Sequence, residues 1–297
     1  MTAESSDGSA TRDLAVSLND HALALHAAGR RDEALAAAER AVAAYRQLSA
    51  SDPAAHEAGL AVALNNLMMC LRTAGRRAQA LEAIEEAVAV ARRLPTADLS
   101  KSEEILATSL NNLASRLSDC GRRGAALAAI EEAVRVRRRL AASDAAHEPD
   151  LARVLNNCSV QLSEAGRCEG ALAAIQAAVG LISPLSAADS SAHEPMLATL
   201  LVNLSNRLGD VGRHEEALTA IEDAVAGRRR LAAAERAHEP DLAMSLQILA
   251  ARLSQVDRHD DAHRARLEAT ELLERRLLLA EPALTLAPSR RCTDSGE

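Results

Sequence analysis

Aromatic side chains are almost missing from this chain: Tyr45 stands alone, with no Trp and no Phe. Positive charge is also in deficit, with 34 Lys+Arg against 42 Asp+Glu and a formal net charge of −8. An acidic chain without stacking rings is a poor nucleic-acid binder, because it offers neither a positive field nor a platform for bases. The five cysteines are few and irregularly spaced, and no CxxC occurs, which excludes a disulfide scaffold. No apolar run of about 18 residues is present, so no membrane span is expected. Proline (8) and glycine (13) are scarce and avoid the helix-like stretches. What remains is 48% hydrophobic and 26% charged, enough apolar material for a sizeable core.

That material repeats. Gly29, Gly75, Gly121, Gly166 and Gly212 are each followed by Arg, at spacings of 46, 46, 45 and 46, and Asp257-Arg258 continues the series 45 residues on. Eleven residues before the marker stand Leu18, Leu64, Leu110, Leu155, Leu201 and Leu246; four before it, Leu25, Leu71, Leu117, Leu162, Leu208 and Leu253. Five after it stand Ala34, Ala80, Ala126, Ala171, Ala217 and Ala262; twelve after it, Ala41, Ala87, Ala133, Ala178, Ala224 and Ala269. Leu64, Leu67 and Leu71 follow one face of a helix, and Ala80, Ile84 and Ala87 follow one face of another. The unit is therefore helix, glycine turn, helix, then a longer loop holding HEAGL, HEPDL, HEPML or HEPDL, with His56, His147, His193 and His238 as loop histidines. Arg92-Arg93, Arg137 to Arg139 and Arg228 to Arg230 read as solvated ends of second helices, where cations suit the dipole.

Six units cover about residues 13–280, near 13–58, 59–104, 105–149, 150–195, 196–240 and 241–280. The stretches 1–12 and 281–297 lack a periodic apolar face and are expected to be a disordered leader and tail. The first and sixth units are worn, with Ala38 and Arg266 where the others carry Ile, as suits terminal caps.

The Leu-x6-Leu spacing, the Gly-Arg turn, Glu33-Ala34-Leu35, Glu216-Ala217-Leu218 and the fixed alanines resemble the tetratricopeptide repeat. LNNLASRLSDCGRR at 110–123 is most similar to the long repeats of kinesin light chains. The resemblance implies an all-α, right-handed α-solenoid with second helices running on to Leu94 or Leu140. It also implies a concave face lined by first helices and a role in binding proteins. The usual aromatics are replaced by Leu or Ile, and the closing proline is missing.

On the first helices stands an asparagine ladder: Asn66, Asn112, Asn157 and Asn203, preceded by Asn65, Asn111 and Asn156, with Asn206 added in the fifth unit. Asparagine is a mediocre helix former, so its repetition needs a reason. One is contact with the backbone of an extended peptide, as the resemblance implies; the other is hydrogen bonding between repeats. Arg153, one turn before Asn157, matches part of a carboxylate clamp, but Val62, Thr108 and Thr199 at its counterparts are uncharged. Ser115, Ser118, Asp119, Glu164 and Asp210 lead one to expect a polar to acidic groove that favours a neutral or basic segment.

No nucleophile elbow, phosphate loop or paired carboxylates occur, so neither catalysis nor a cofactor is expected. His259 and His263 lie one turn apart, a spacing that can hold zinc, but lack a third ligand. The expected protein is a cytoplasmic, non-catalytic scaffold with a protein or peptide partner and no nucleic-acid or membrane partner. The alternative is a structural module that packs against another chain or self-associates through its ends or convex face.

Overall fold

The computed structural model describes residues 3–95 and 98–280. Twelve helices alternate as first and second members of six pairs: α1 (Ala3–Ala27) and α2 (Arg31–Ser51), α3 (Pro53–Thr73) and α4 (Arg77–Ala91), α5 (Leu99–Asp119) and α6 (Arg123–Ser143), α7 (Glu148–Glu164) and α8 (Cys168–Ala188), α9 (Ser190–Asp210) and α10 (His214–Ala234), α11 (Glu239–Gln255) and α12 (His259–Ala280). The fold is all-α, with no strand among the described residues. Two compact units divide it, one ending at His193 and one beginning at Glu194.

The turn within each pair explains the marker. Gly29 has φ +74, and Gly75, Gly121, Gly166 and Gly212 have φ between +73 and +77. A Cβ on any of them would meet nothing within 4 Å, so glycine is there for the backbone angle and not for space. The Arg after it donates its backbone N–H to the carbonyl of the Leu four residues before the marker: Arg30 to Leu25 at 3.0 Å, Arg122 to Leu117 and Arg167 to Leu162 at 2.8 Å. This six-to-one bond closes the helix end. Asp257 adopts the same left-handed region at φ +59, which is why Asp continues the glycine series.

The fixed alanines lie in the core. Ala34, Ala80, Ala126, Ala171, Ala217 and Ala262 are fully buried, with Ile84, Ile130, Ile175 and Ile221 filling the adjoining space. Exposed ion pairs run between neighbouring second helices, Arg46–Glu86 at 2.5 Å and Arg92–Glu132 at 2.7 Å in the first unit, Arg229–Glu268 at 2.6 Å in the second. Each contributes at most about 1 kcal/mol, so they set register more than stability.

Three expectations change. Apart from the stretch 92–98 between α4 and α5, the long loops between pairs shrink to a capping residue or a single short turn. Asp52 and Asp189 stand alone between helices, and their carboxylates accept from Ala55 N at 3.1 Å and Ala192 N at 3.2 Å. An Asp cap lets the next helix start at once, and Pro53 at its first position loses no hydrogen bond. His56 and His193 consequently lie inside α3 and α9. The second helix α6 does run past Leu140 to Ser143, whereas α4 stops at Ala91, before Leu94. Helix α1 begins at Ala3, within the stretch 1–12 expected as a leader. The tail at 281–297 lies outside the described residues.

Among the described helices α8 is long and apolar enough to cross a membrane, contrary to the expectation from the sequence. Its Ala171, Leu172, Ile175, Ala178 and Ile182 are buried, as a core helix requires. His259 and His263 open α12, and no cluster of three metal-ligating side chains occurs among the described residues.

Candidate functional site

The asparagines lie on the first helices, where consecutive copies meet. Asn66 Nδ2 donates to Asn19 Oδ1, Asn112 Nδ2 to Asn65 Oδ1 and Asn157 Nδ2 to Asn111 Oδ1, each at 2.8 Å. The residue nine before the marker thus reaches back to the residue ten before the previous marker. Asn65 Nδ2 also donates to Ala61 O at 2.9 Å and to Ser109 Oγ at 2.7 Å, and Asn156 Nδ2 to Asn157 Oδ1 at 3.4 Å. In the second unit Asn203 is half-buried on α9, and Asn206 Oδ1 accepts from Arg252 at 3.1 Å. The ladder is therefore a set of bridges between repeats. Each bridge takes one amide donor of its donating asparagine, and an amide has a second donor and an acceptor besides.

Two adjoining hollows in the first unit open on this face. One, of about 310 Å³, is lined by Val62, Asn65, Asn66, Glu104, Ile105, Thr108, Arg137, Asp150 and Arg153. The other, of about 270 Å³, shares Asn65, Asn66 and Thr108 and adds Met68, Met69, Arg72, Asn112, Ser115 and Arg116. Together they make a trough along α3 and α5.

Arg137 is the group the sequence reading missed. It rises from α6, is only 3% exposed, and donates from Nη2 to Thr108 Oγ1 at 2.9 Å. Its Nη1 lies 3.2 Å from Asp150 Oδ2, and Arg153 donates to the other oxygen of that carboxylate at 2.8 Å. The Arg137 Nε and Nη1 are buried and make no hydrogen bond. Burial lowers the Arg137 pKa, against the pull of the Asp150 charge. Burial alone would push the Asp150 carboxyl up, but the hydrogen bond from Arg153 and the charges of Arg137 and Arg153 hold it below the usual carboxylate range.

The slot that Arg137 fills recurs, sixteen residues after one marker and facing the residue sixteen before the next. In the first copy it holds Tyr45, whose ring would be 2.3 Å from any Cβ on Gly59. In the second unit it holds Arg228, which donates to Thr199 at 3.2 Å and lies 2.9 Å from Asp241. Arg137, Thr108 and Asp150 match Arg228, Thr199 and Asp241 at a constant offset of 91. That coincidence was the available signal, hidden because Arg137 sits in an arginine triplet read as solvated. Its neighbour Arg139 does face solvent, paired with Glu103 at 2.6 Å.

The expected acidic lining is corrected as well. Asp119 is paired with Arg116 at 2.6 Å, Asp210 with Arg207 at 3.3 Å, and Ser118 donates to Glu164 at 2.7 Å. The trough itself is lined by four arginines, Arg72, Arg116, Arg137 and Arg153, against Glu104 and Asp150.

The family model described as "Tetratricopeptide repeat" matches residues 14–53, 106–144 and 197–238, the first, third and fifth copies. A model described as "Anaphase-promoting complex subunit 5" matches 51–95. No curated protein matches in sequence. Among solved structures, BtubC (BKLC) from P. vanneervenii is 20% identical over 88% of this chain and 97% of its own, with a TM-score of 0.69. The Podosopora anserina putative kinesin light chain repeats are 19% identical over 74% and 98%, with a TM-score of 0.59. Pseudomonas aeruginosa pilF is 16% identical over 92% and 100%, with a TM-score of 0.58. At these identities the likeness is one of fold. Three of the six copies thus match the tetratricopeptide repeat model, and the fold is similar to that of kinesin-light-chain-like repeat structures.

Proposed function

We propose that this chain is a non-catalytic interaction module that takes an extended segment of a partner protein along its first helices. Repeats of this fold generally mediate protein–protein contact. The observation that carries the reading is the trough of α3 and α5, whose two hollows share Asn65, Asn66 and Thr108. Asn65, Asn66, Asn112 and Arg153 line it and contact the segment; Asn111, Asn156 and Asn157 extend the same rows within the first unit, and the second unit offers Asn203 and Asn206 on its own first helix. The bridging asparagines then serve both purposes, one amide donor holding the neighbouring repeat and the remaining capacity meeting peptide backbone. Free thiols at Cys70, Cys120, Cys158 and Cys168 fit a cytoplasmic setting.

The test is selection of linear peptides from a display library on the wild-type chain, followed by titration against two variants. Ser115→Tyr fills the trough without touching an amide bridge, and Asn112→Ala removes one bridge. The reading expects selected peptides to bind Ser115→Tyr at least about tenfold more weakly while its melting temperature is unchanged. Peptides that bind Ser115→Tyr as well as wild type place the interface on another surface.

A further inference from the structure

Resting on that reading, we propose that the partner segment is acidic, and that Arg137 with Arg153 receives one of its carboxylate side chains in the hollow between α3, α5 and α7. Three observations lead there. First, a chain of net charge −8 gathers four arginines against two carboxylates on the lining of one trough. Second, the Arg137 guanidinium is 3% exposed and lines the hollow, yet its Nε has no hydrogen-bond partner and its Nη1 has only the Asp150 ion pair. A buried donor without an acceptor is costly, and a carboxylate oxygen is the acceptor a guanidinium N–H binds most strongly. Third, Asp150 already shows which chemistry the site takes, since one of its oxygens accepts from Arg153 and the other lies against Arg137.

The matching slot of the second unit sharpens the assignment. Arg228 there also has a buried Nε without an acceptor, but the position of Arg153 is held by Met244. That slot has one cation where the first unit has two, so the first unit is the stronger carboxylate site. A phosphate group fits less well, because its second negative charge would face both Asp150 and Glu104. A stacked nucleobase has no ring to stack on.

Were Arg137 only a link from α6 to α7, Asp150→Asn would lower stability and change no affinity. As a carboxylate site, the same change removes an internal competitor and raises affinity. The probe is a fluorescein-labelled, amide-capped Gly-Ser peptide carrying spaced glutamates, read by anisotropy beside its glutamine counterpart. The glutamate peptide should bind wild type about tenfold more tightly, and high salt should erase most of the difference. Arg153→Gln, at an exposed position that leaves Arg137 in place, should lose roughly fivefold or more, and Asp150→Asn should gain several-fold. Arg137→Leu should abolish the preference for glutamate. Equal binding of the two peptides, or no gain in Asp150→Asn, overturns the inference. Binding that needs a free peptide C-terminus overturns the side-chain assignment. Library peptides that bind the trough without acidic residues overturn this inference alone, whereas peptides indifferent to Ser115→Tyr overturn the reading beneath it.

Discussion

The helix quartet α5–α8 of the first unit and the quartet α9–α12 of the second are the same structure written twice, at an offset of 91 residues. Ile130 matches Ile221, the Arg139–Glu103 pair matches Arg230–Glu194, and Arg137 matches Arg228. The differences that bear on the trough fall on the first-helix face, whereas α12 departs from α8 as the worn last copy, with Arg266 at the place of Ile175. Asn111 and Asn157, which bridge α5 to α7, are replaced by Val202 and Ile248, both packed against the apolar core of the second unit. Cys158 is replaced by Leu249, Arg153 by Met244 and Gln161 by Arg252, which donates to Ser205 and Asn206. The scaffold is thus held constant by the buried alanines, by Ile130 and Ile221 and by the left-handed turns, while the groove surface varies. Near the trough what distinguishes them is Arg153 against Met244 and the asparagines against Val202 and Ile248.

The largest effect should fall where the quartets agree. Ile130→Ala and Ile221→Ala each empty a fully buried position between a pair of helices. Each should cost about 2–5 kcal/mol in urea unfolding, with the two values alike. Costs that differ by more than about 2 kcal/mol would show that the two quartets are not packed equivalently.

The next effect separates them. The Cys158 thiol is pushed up to about 11 by burial, with the Glu131 charge adding to it. A raised pKa gives stability that is complete below the unfolded thiol value, about 8.5, and lost as pH rises through the folded value. Between those limits the first unit should lose on the order of 2 kcal/mol, followed by thermal melting. Cys158→Leu, which imports the residue found at Leu67 and Leu249, should remove most of that alkaline loss, leaving the part due to Cys70, whose thiol burial also pushes up. Persistence of the loss would assign it to another group.

Smaller again is the acid limb. Asp150 is held below the usual carboxylate range, so its contribution is present above the unfolded value, near 3.9, and fades as pH falls through the lower folded one. At neutral pH Asp150→Asn should cost about 1–2 kcal/mol, discounted because the carboxylate is partly solvated. Asp241→Asn should cost less, because Arg228 is 11% exposed where Arg137 is 3% exposed and Met244 brings no second cation. The flattening of the acid limb in Asp150→Asn, measured by melting below neutrality, checks the assignment.

Much of this was legible in the sequence because repetition makes one physical constraint visible six times. The glycine turns, buried alanines and helix pairs all follow from fixed offsets, including the left-handed Asp257. The linkers were not legible, because composition does not reveal that one Asp both ends a helix and caps the next, as Asp52 does. The site was half legible. Asparagines at a constant position are easy to see, but their partners lie 46 or 47 residues away and emerge only with stacking. Arg137 was hidden for the opposite reason, since three adjacent arginines look alike in sequence while their directions differ by about 100° per residue on a helix.

The smallest expected effect concerns the bridges. Asn157→Ala removes the donor to Asn111 and should cost about 0.5–1.5 kcal/mol, because the buried Asn111 carbonyl is left without that partner. The double change Asn111→Val with Asn157→Ile installs the pair that the second unit carries at Val202 and Ile248. Replacing both partners by apolar groups is nearly neutral, so the double variant should be more stable than the single one. Coupling of this sign in a double-mutant cycle would mean that polar bridges are not needed to stack these repeats, and that asparagine is kept in the first unit for what its remaining amide groups meet in the trough. Absence of coupling would mean that the amides act independently of one another, and the trough would lose that argument for its asparagines.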